Sequence, residues 1–245
     1  MNYNLLNHRS LWSLDNLSSA DVLALLDTAC SLKKANQEGH PQRPLRGKNI
    51  AVMCESPNDP ALASFTAAAT ALGAQVAHIR PSSSRITQPA ASHETAVVLG
   101  RLYDAIECEG MPLSLVQEVE RTAGRPVFNG LAAANHPLRV LGDLMTMREH
   151  SGKPLSQTTL RLLGDEHSPE NDAWRRAAAL TGLELRTTPS DPAPDFLWDP
   201  QSPTRCSDGR AELACSCPGE HPPLAADQVD NHRFTLQALL CSTVA

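Results

Sequence analysis

A chain of 245 residues can bury the core of one or two domains, and 41% hydrophobic with 20% charged residues is the make-up of a globular protein. A formal charge of −6 without any basic run excludes a nucleic-acid footprint. No apolar stretch reaches bilayer length and the N-terminus has no basic flank ahead of an apolar run, so a cytoplasmic protein without membrane contact is expected.

In chain order, Val22, Leu25, Leu26, Ala29 and Leu32 recur at helical spacing and predict a helix over 19–37, capped by Ser18 or Ser19 and stopped by Gly39. A loop rich in Pro and basic residues leads to a short apolar strand over 49–54. The next helix is expected over 60–72, with Pro60 in its first turn and Gly73 as its stop. Strand 75–79, a loop at 81–84, helix 94–102, strand 105–108, helix 112–122 and strand 127–129 continue the pattern, and a longer helix is predicted over 136–150. A second unit starts with strand 159–163, helix 171–180 and strand 184–187. Prolines then break the periodicity between 188 and 208, which predicts an irregular loop with one short strand over 196–198. A short strand near Leu213 and a closing helix over 231–244 complete the chain. Strands alternating with helices indicate an α/β class, with parallel sheets covered by helices.

Several strings occur together in one order: Leu45-Arg46-Gly47-Lys48-Asn49-Ile50, Ser64-Phe65 with Leu72-Gly73-Ala74, and Pro81-Ser82-Ser83-Ser84. Leu99 through Glu107, Pro126-Val127-Phe128-Asn129-Gly130-Leu131, His136-Pro137, and Asp143 through His150 complete the set. With them the chain resembles the ornithine carbamoyltransferases. The resemblance implies a carbamoyl-phosphate-binding-like domain over 1–150, a truncated amino-acid-binding-like domain over 151–230, and a closing helix 231–245 that packs back on the first. It also implies a homotrimer with active sites at subunit interfaces. The second domain matches only at Leu163-Gly164-Asp165 and from Asp230-Asn231 to Ala238, with several tens of family residues missing between.

The family grips carbamoyl phosphate with Ser-Thr-Arg-Thr-Arg after the first strand; this chain has Asn58-Asp59-Pro60-Ala61-Leu62 there. Pro60 and Leu62 replace the arginines, Pro60 lacks an N–H, and Asp59 puts negative charge where the phosphate rests. A further family arginine falls on Glu109, and the family's His-Pro-Thr-Gln reads His136-Pro137-Leu138-Arg139, which keeps only the carbonyl-contacting histidine. The amino-acid-contacting Asn falls on Ala133, and the loop lent by a neighbouring subunit becomes Arg85 through Ser92. His-Cys-Leu-Pro becomes Cys215-Ser216-Cys217-Pro218, and the arginine of the closing helix falls on His232. Each lost charge-assisted pair removes roughly 1.5–3 kcal/mol of anion binding.

His136 is therefore the one catalytic candidate, with a helix-capping role favoured for it over a donor or base role. Glu55, Asn58, Asp59, Glu109, Arg139, Ser216, Cys217 and His232 are the remaining pocket candidates. Carboxylates following parallel strands gather at one sheet edge, which suits either a cation or amine site or a relaxed pocket of solvated acids. Seven cysteines, scattered and odd in number, read as free thiols. Cys206, Cys215, Cys217 and His221 lack the paired Cys-x2-Cys spacing of a zinc site, and no metal or cofactor is expected. Gly164-Asp165 with His167 lacks a dinucleotide fingerprint, and Asp104 and Asp143 are read as satisfying backbone donors or ion pairs. Two functions follow. One is a pseudoenzyme acting as a structural or regulatory partner, in a homotrimer or in mixed oligomers with an active carbamoyltransferase. The other is a repurposed enzyme holding a different, cationic small molecule.

Overall fold

Strands β1 (Asn49–Met53), β2 (Gln75–Ile79), β3 (Ala105–Cys108) and β4 (Val127–Asn129) form a parallel sheet in the order β2-β1-β3-β4. The residues Ile50, Ala51, Val52 and Met53 are all fully buried, as a central parallel strand covered on both faces requires. The structure is a computed structural model and describes residues 6, 10–56, 58–88, 91–165, 167–188, 192–216 and 224–245. The chain divides into two units. Unit 1 holds Met1–Trp12, Ser31–His136 and Leu236–Ala245, and unit 2 holds Ser13–Cys30 and Pro137–Thr235.

Local chemistry sets the helices. In α1 (Ser19–Gln37), Ser18 accepts from the Asp21 amide at 3.2 Å while the Asp21 carboxylate accepts from the Ser18 amide at 2.9 Å, a reciprocal cap. Helix α2 (Pro60–Ala71) starts on Pro60 behind the N-cap Asp59 and ends at Gly73, whose φ of +93° only glycine adopts without strain. Pro81–Ser84, expected as a loop, closes a single helical turn, α3. Helices α4 (Ser92–Leu102) and α5 (Leu113–Ala123) approach so closely that a Cβ on Gly100 would lie 2.0 Å from the Ala123 carbonyl oxygen.

The sheet order places the switch point of unit 1 between β1 and β3. The chain leaves β1 through α2 toward β2 on one side, and leaves β3 through α5 toward β4 on the other. The Glu109 amide donates to the Met53 carbonyl at 2.9 Å, so the ends of β1 and β3 are in contact where a crevice ligand would bind.

Unit 2 repeats the plan with a second sheet, ordered β6-β5-β7-β8, from β5 (Thr159–Leu162), β6 (Glu184–Arg186), β7 (Phe196–Trp198) and β8 (Ala214–Cys215). The last strand is antiparallel to β7. Trp174 on α7 (Pro169–Thr181) packs against Trp198 with ring centroids 5.7 Å apart. The helix expected over 136–150 is a 3-10 turn, Pro137–Arg139, followed by α6 (Val140–Ser151). The closing helix α8 (Ala225–Val244) begins six residues earlier than the expected Asn231, a count that follows from its start at Ala225.

Candidate functional site

At the C-terminal edge of the unit 1 sheet, own-chain carboxylates occupy backbone donors. Asp59 Oδ1 accepts from the Ala61 amide at 2.8 Å, and Pro60 beside it has no N–H. Glu55 accepts from both the Ser82 amide at 2.6 Å and the Ser82 hydroxyl at 2.8 Å, at the start of α3. Glu107, inside β3 and fully buried, accepts from the Gly130 amide at 2.6 Å and the Leu131 amide at 3.2 Å. Burial pushes its carboxyl up to about 8, against the opposing pull of those amides. Burial and then the neighbouring Asp59 charge also raise Glu109. Among the described residues none of these four carboxylates has a basic ion-pair partner. Asn58 is exposed.

In unit 2 a buried cluster forms around two other candidates. Arg139 and His232 are 7% and 2% exposed. The Arg139 guanidinium pairs with Asp208 through Nη2, and the same nitrogen lies 2.8 Å from His232 Nδ1. His232 Nδ1 is 2.9 Å from Asp208 Oδ2, and Nε2 is 2.8 Å from Asp143 Oδ1. Asp143 in turn accepts from Arg210 Nε at 2.7 Å and from Gln228 Nε2 at 2.7 Å. Arg210 also stacks over Trp198, 4.8 Å from its ring centroid. Burial would raise Asp143 and Asp208, yet the groups around them outweigh it: Arg210 and hydrogen-bonded His232 lower Asp143, and hydrogen-bonded His232 and Arg139 lower Asp208. The sequence expectation for Asp143, an ion pair, is met; Asp104 accepts from the Asn49 amide at 2.9 Å.

Other candidates lie elsewhere. His136 is buried in unit 1 with its amide donating to the Ala133 carbonyl at 3.0 Å. It does not cap α6, because the turn Pro137–Arg139 intervenes and Arg139 holds the N-cap position. Ser216 is exposed beside β8, its amide donating to the Asp195 carbonyl at 2.9 Å. Cys217 and His221 lie outside the described residues. Cys206 is buried, its thiol donating to Gln228 Oε1 at 3.4 Å. Among the described residues no group of three or more His, Cys, Asp or Glu is arranged to hold a metal, and no helix is long and apolar enough to cross a membrane. A cleft of about 570 Å³ in unit 1, lined by Ile86, Thr87, Ser92, His93, Pro112 and Glu118 among others, includes none of the candidates.

Sequence reasoning thus named Asp59, Glu109, Arg139 and His232 but passed over Glu107, Asp208, Arg210 and Gln228. A glutamate inside a four-residue buried strand was the available signal for Glu107. Nothing local marked Asp208, whose partner Arg139 is 69 residues distant.

The family model for the aspartate/ornithine carbamoyltransferase carbamoyl-P binding domain matches residues 9–149. The catabolic ornithine carbamoyltransferase of Pseudomonas putida is 38% identical over 193 residues, covering 79% of this chain and 56% of that protein. The catabolic enzyme of Burkholderia mallei is 40% identical over 198 residues, covering 81% and 57%. The chain therefore spans somewhat over half the length of these relatives. Among solved structures, the ornithine carbamoyltransferase from Pyrococcus furiosus aligns with a TM-score of 0.73 at 20% identity, covering 98% of each chain. A putative aspartate carbamoyltransferase from Trypanosoma cruzi aligns at 0.75 and 19% identity, covering 99% of this chain and 98% of that one. At such identities these two carry the fold alone, with its two α/β domains. The family match over 9–149 settles the affiliation: this chain belongs to the aspartate/ornithine carbamoyltransferase family.

Proposed function

We propose that this family member has lost carbamoyl phosphate binding and carbamoyl transfer, and serves in the cytoplasm as an oligomeric structural or regulatory partner. The observation that carries this reading is the Asp59 carboxylate, 2.8 Å from the Ala61 amide at the start of α2. A dianion held at a helix N-terminus needs free N–H groups and positive charge. Here the first amide is absent in Pro60, the next is engaged by Asp59, and Glu109 adds a second negative group close enough to interact with Asp59. Coulomb repulsion between a phosphate and two carboxylates at such range costs on the order of a few kcal/mol even at an effective dielectric constant near 20. The four-stranded parallel sheet of unit 1 and the close α4–α5 packing at Gly100 are meanwhile retained. For the alternative, a repurposed enzyme holding a cation at this edge, Glu55, Asp59 and Glu107 already accept from backbone N–H groups, which leaves Glu109 as the carboxylate least engaged by the chain.

Two measurements test the reading. Carbamoyl phosphate at sub-millimolar concentration should leave the thermal midpoint of the purified chain unchanged; a clear stabilisation would sink the proposal. Native mass spectrometry of the chain, alone and mixed with a catabolic ornithine carbamoyltransferase, should show homotrimers or mixed oligomers. Monomers under both conditions would remove the partner role.

A further inference from the structure

The charges of the unit 2 cluster divide into two parts. Asp143 is matched by Arg210 through two guanidinium nitrogens, Nε at 2.7 Å and Nη2 at 2.5 Å, with the Gln228 amide and His232 Nε2 as further partners, so His232 bridges this part to the second. Arg139 is different, because among the described residues its one carboxylate partner is Asp208. Only Nη2 reaches that partner. The Arg139 Nε is buried and, among the described residues, has no hydrogen-bond acceptor. A guanidinium presents Nε and Nη2 side by side as a fork that fits the two oxygens of one carboxylate. Asp208 cannot fill the fork from its own chain position, because its Oδ1 turns back to accept from the Arg210 amide at 3.2 Å.

Asp208 also differs from its neighbours in where it sits. Its side chain is 16% exposed, against 7% for Arg139 and 1% for His232. It lies on a surface turn closed by the Gly209 amide donating to the Cys206 carbonyl at 2.9 Å and by the Cys206 amide donating to the Arg210 carbonyl at 2.8 Å. The buried Arg139 guanidinium is therefore paired with a carboxylate delivered from a surface turn, and that carboxylate also reaches His232 Nδ1 while Asp143 reaches Nε2. Should that turn move away, Arg139 would lose its paired carboxylate and keep only the more distant charge of Asp143, which Arg210 already engages, and that is unfavourable unless another anion enters.

We propose that Arg139 and His232 form a binding site for a small carboxylate, and that Asp208 is its resident intramolecular occupant, displaceable by a free carboxylate of the same chemistry. Binding of acetate or malonate is read without carbamoyl phosphate, so failure of this site and failure of the proposed loss of carbamoyl phosphate binding are distinguishable.

The test uses the full chain and acetate and malonate as probes, with sodium chloride at matched ionic strength as the baseline and inorganic phosphate as a second arm. Calorimetric titration should show acetate binding at least tenfold more tightly to Asp208→Ala than to the unaltered chain, and the gain should vanish in Asp208→Ala with Arg139→Met. In the unaltered chain, malonate should raise hydrogen exchange across 205–211 relative to chloride. Equal acetate affinity with and without Asp208, a gain that persists without Arg139, or unchanged exchange at 205–211 would each overturn the proposal. Tighter binding of phosphate than of either carboxylate would overturn the assignment of ligand class. If Asp208→Ala fails to fold in chloride, Asp208→Asn, which keeps the shape and the Arg210 amide contact, takes its place. Unfolding of both variants that acetate does not reverse also counts against the site.

Discussion

At the residue scale, Asp59 and Glu107 show how one functional group acts in opposite ways in two surroundings. Asp59 is half-exposed and caps α2, so its carboxylate is useful when charged. Asp59→Ala should destabilise the chain by about 1 kcal/mol in urea unfolding, as loss of an N-cap does, and Asp59→Ser, which can still accept from Ala61, should recover most of that. A variant as stable as the original would mean that the cap bond contributes nothing. Glu107 is buried, and its carboxyl is raised from 4.5 to about 8. Between those values the folded chain keeps a proton that the unfolded chain releases, so stability falls as pH rises through this window. The slope should be at most about 1.4 kcal/mol per pH unit. Glu107→Gln, which cannot ionise, should flatten the dependence between pH 5 and 8. An unchanged slope in that variant would assign the effect to another group.

At the element scale, close helix contacts rest on missing side chains. A Cβ on Gly142 of α6 would come within 2.0 Å of His232 Cδ2 and 2.8 Å of its Cα on α8. Replacing a helical glycine by alanine ordinarily gains up to about 1 kcal/mol, but here overpacking against backbone costs about 1–3 kcal/mol. Gly142→Ala should therefore lower the urea midpoint; a rise would show that α8 can shift without penalty. The same helix pair marks where the sequence stopped being readable. Strands β1 to β6 and most helices announced themselves through apolar runs and helical spacing, α2 through Pro60 and Gly73, and β7 as a short strand inside the proline-broken stretch. The first turns of α8 did not, because Gln228 is fully buried yet polar, accepting from the Leu213 amide at 3.0 Å and donating to the Ala211 carbonyl at 3.1 Å. Periodicity counts such a residue as solvent-facing. In the same way Asp59 was legible from its place before Pro60, whereas Asp208 lay in a proline-broken stretch whose partners only the tertiary fold supplies.

At the scale of the whole molecule, the two units carry opposite proton linkages. Glu107 makes unit 1 more stable as pH falls from about 8 toward 4.5. Asp143 and Asp208, both held below their ordinary value of 3.8, stabilise unit 2 above that pH, and the contribution is lost as pH falls below it. Stability should therefore peak at about pH 4–4.5, with different units limiting it on either side. The tryptophans separate the two limbs, since Trp174 and Trp198 lie in unit 2 and Trp12 in unit 1. In Trp12→Phe, emission reports unit 2 alone and should shift to the red only on the acid side. Arg210→Met then tests the origin of that limb. It strands Asp143 without its guanidinium, which should cost about 3–5 kcal/mol at pH 7. At pH 3 the cost should shrink, because a stranded carboxyl freed from Arg210 takes up a proton more readily and ceases to be a buried charge. An equal loss at both pH values would show that Arg210 acts through its stacking on Trp198 rather than through the charge of Asp143.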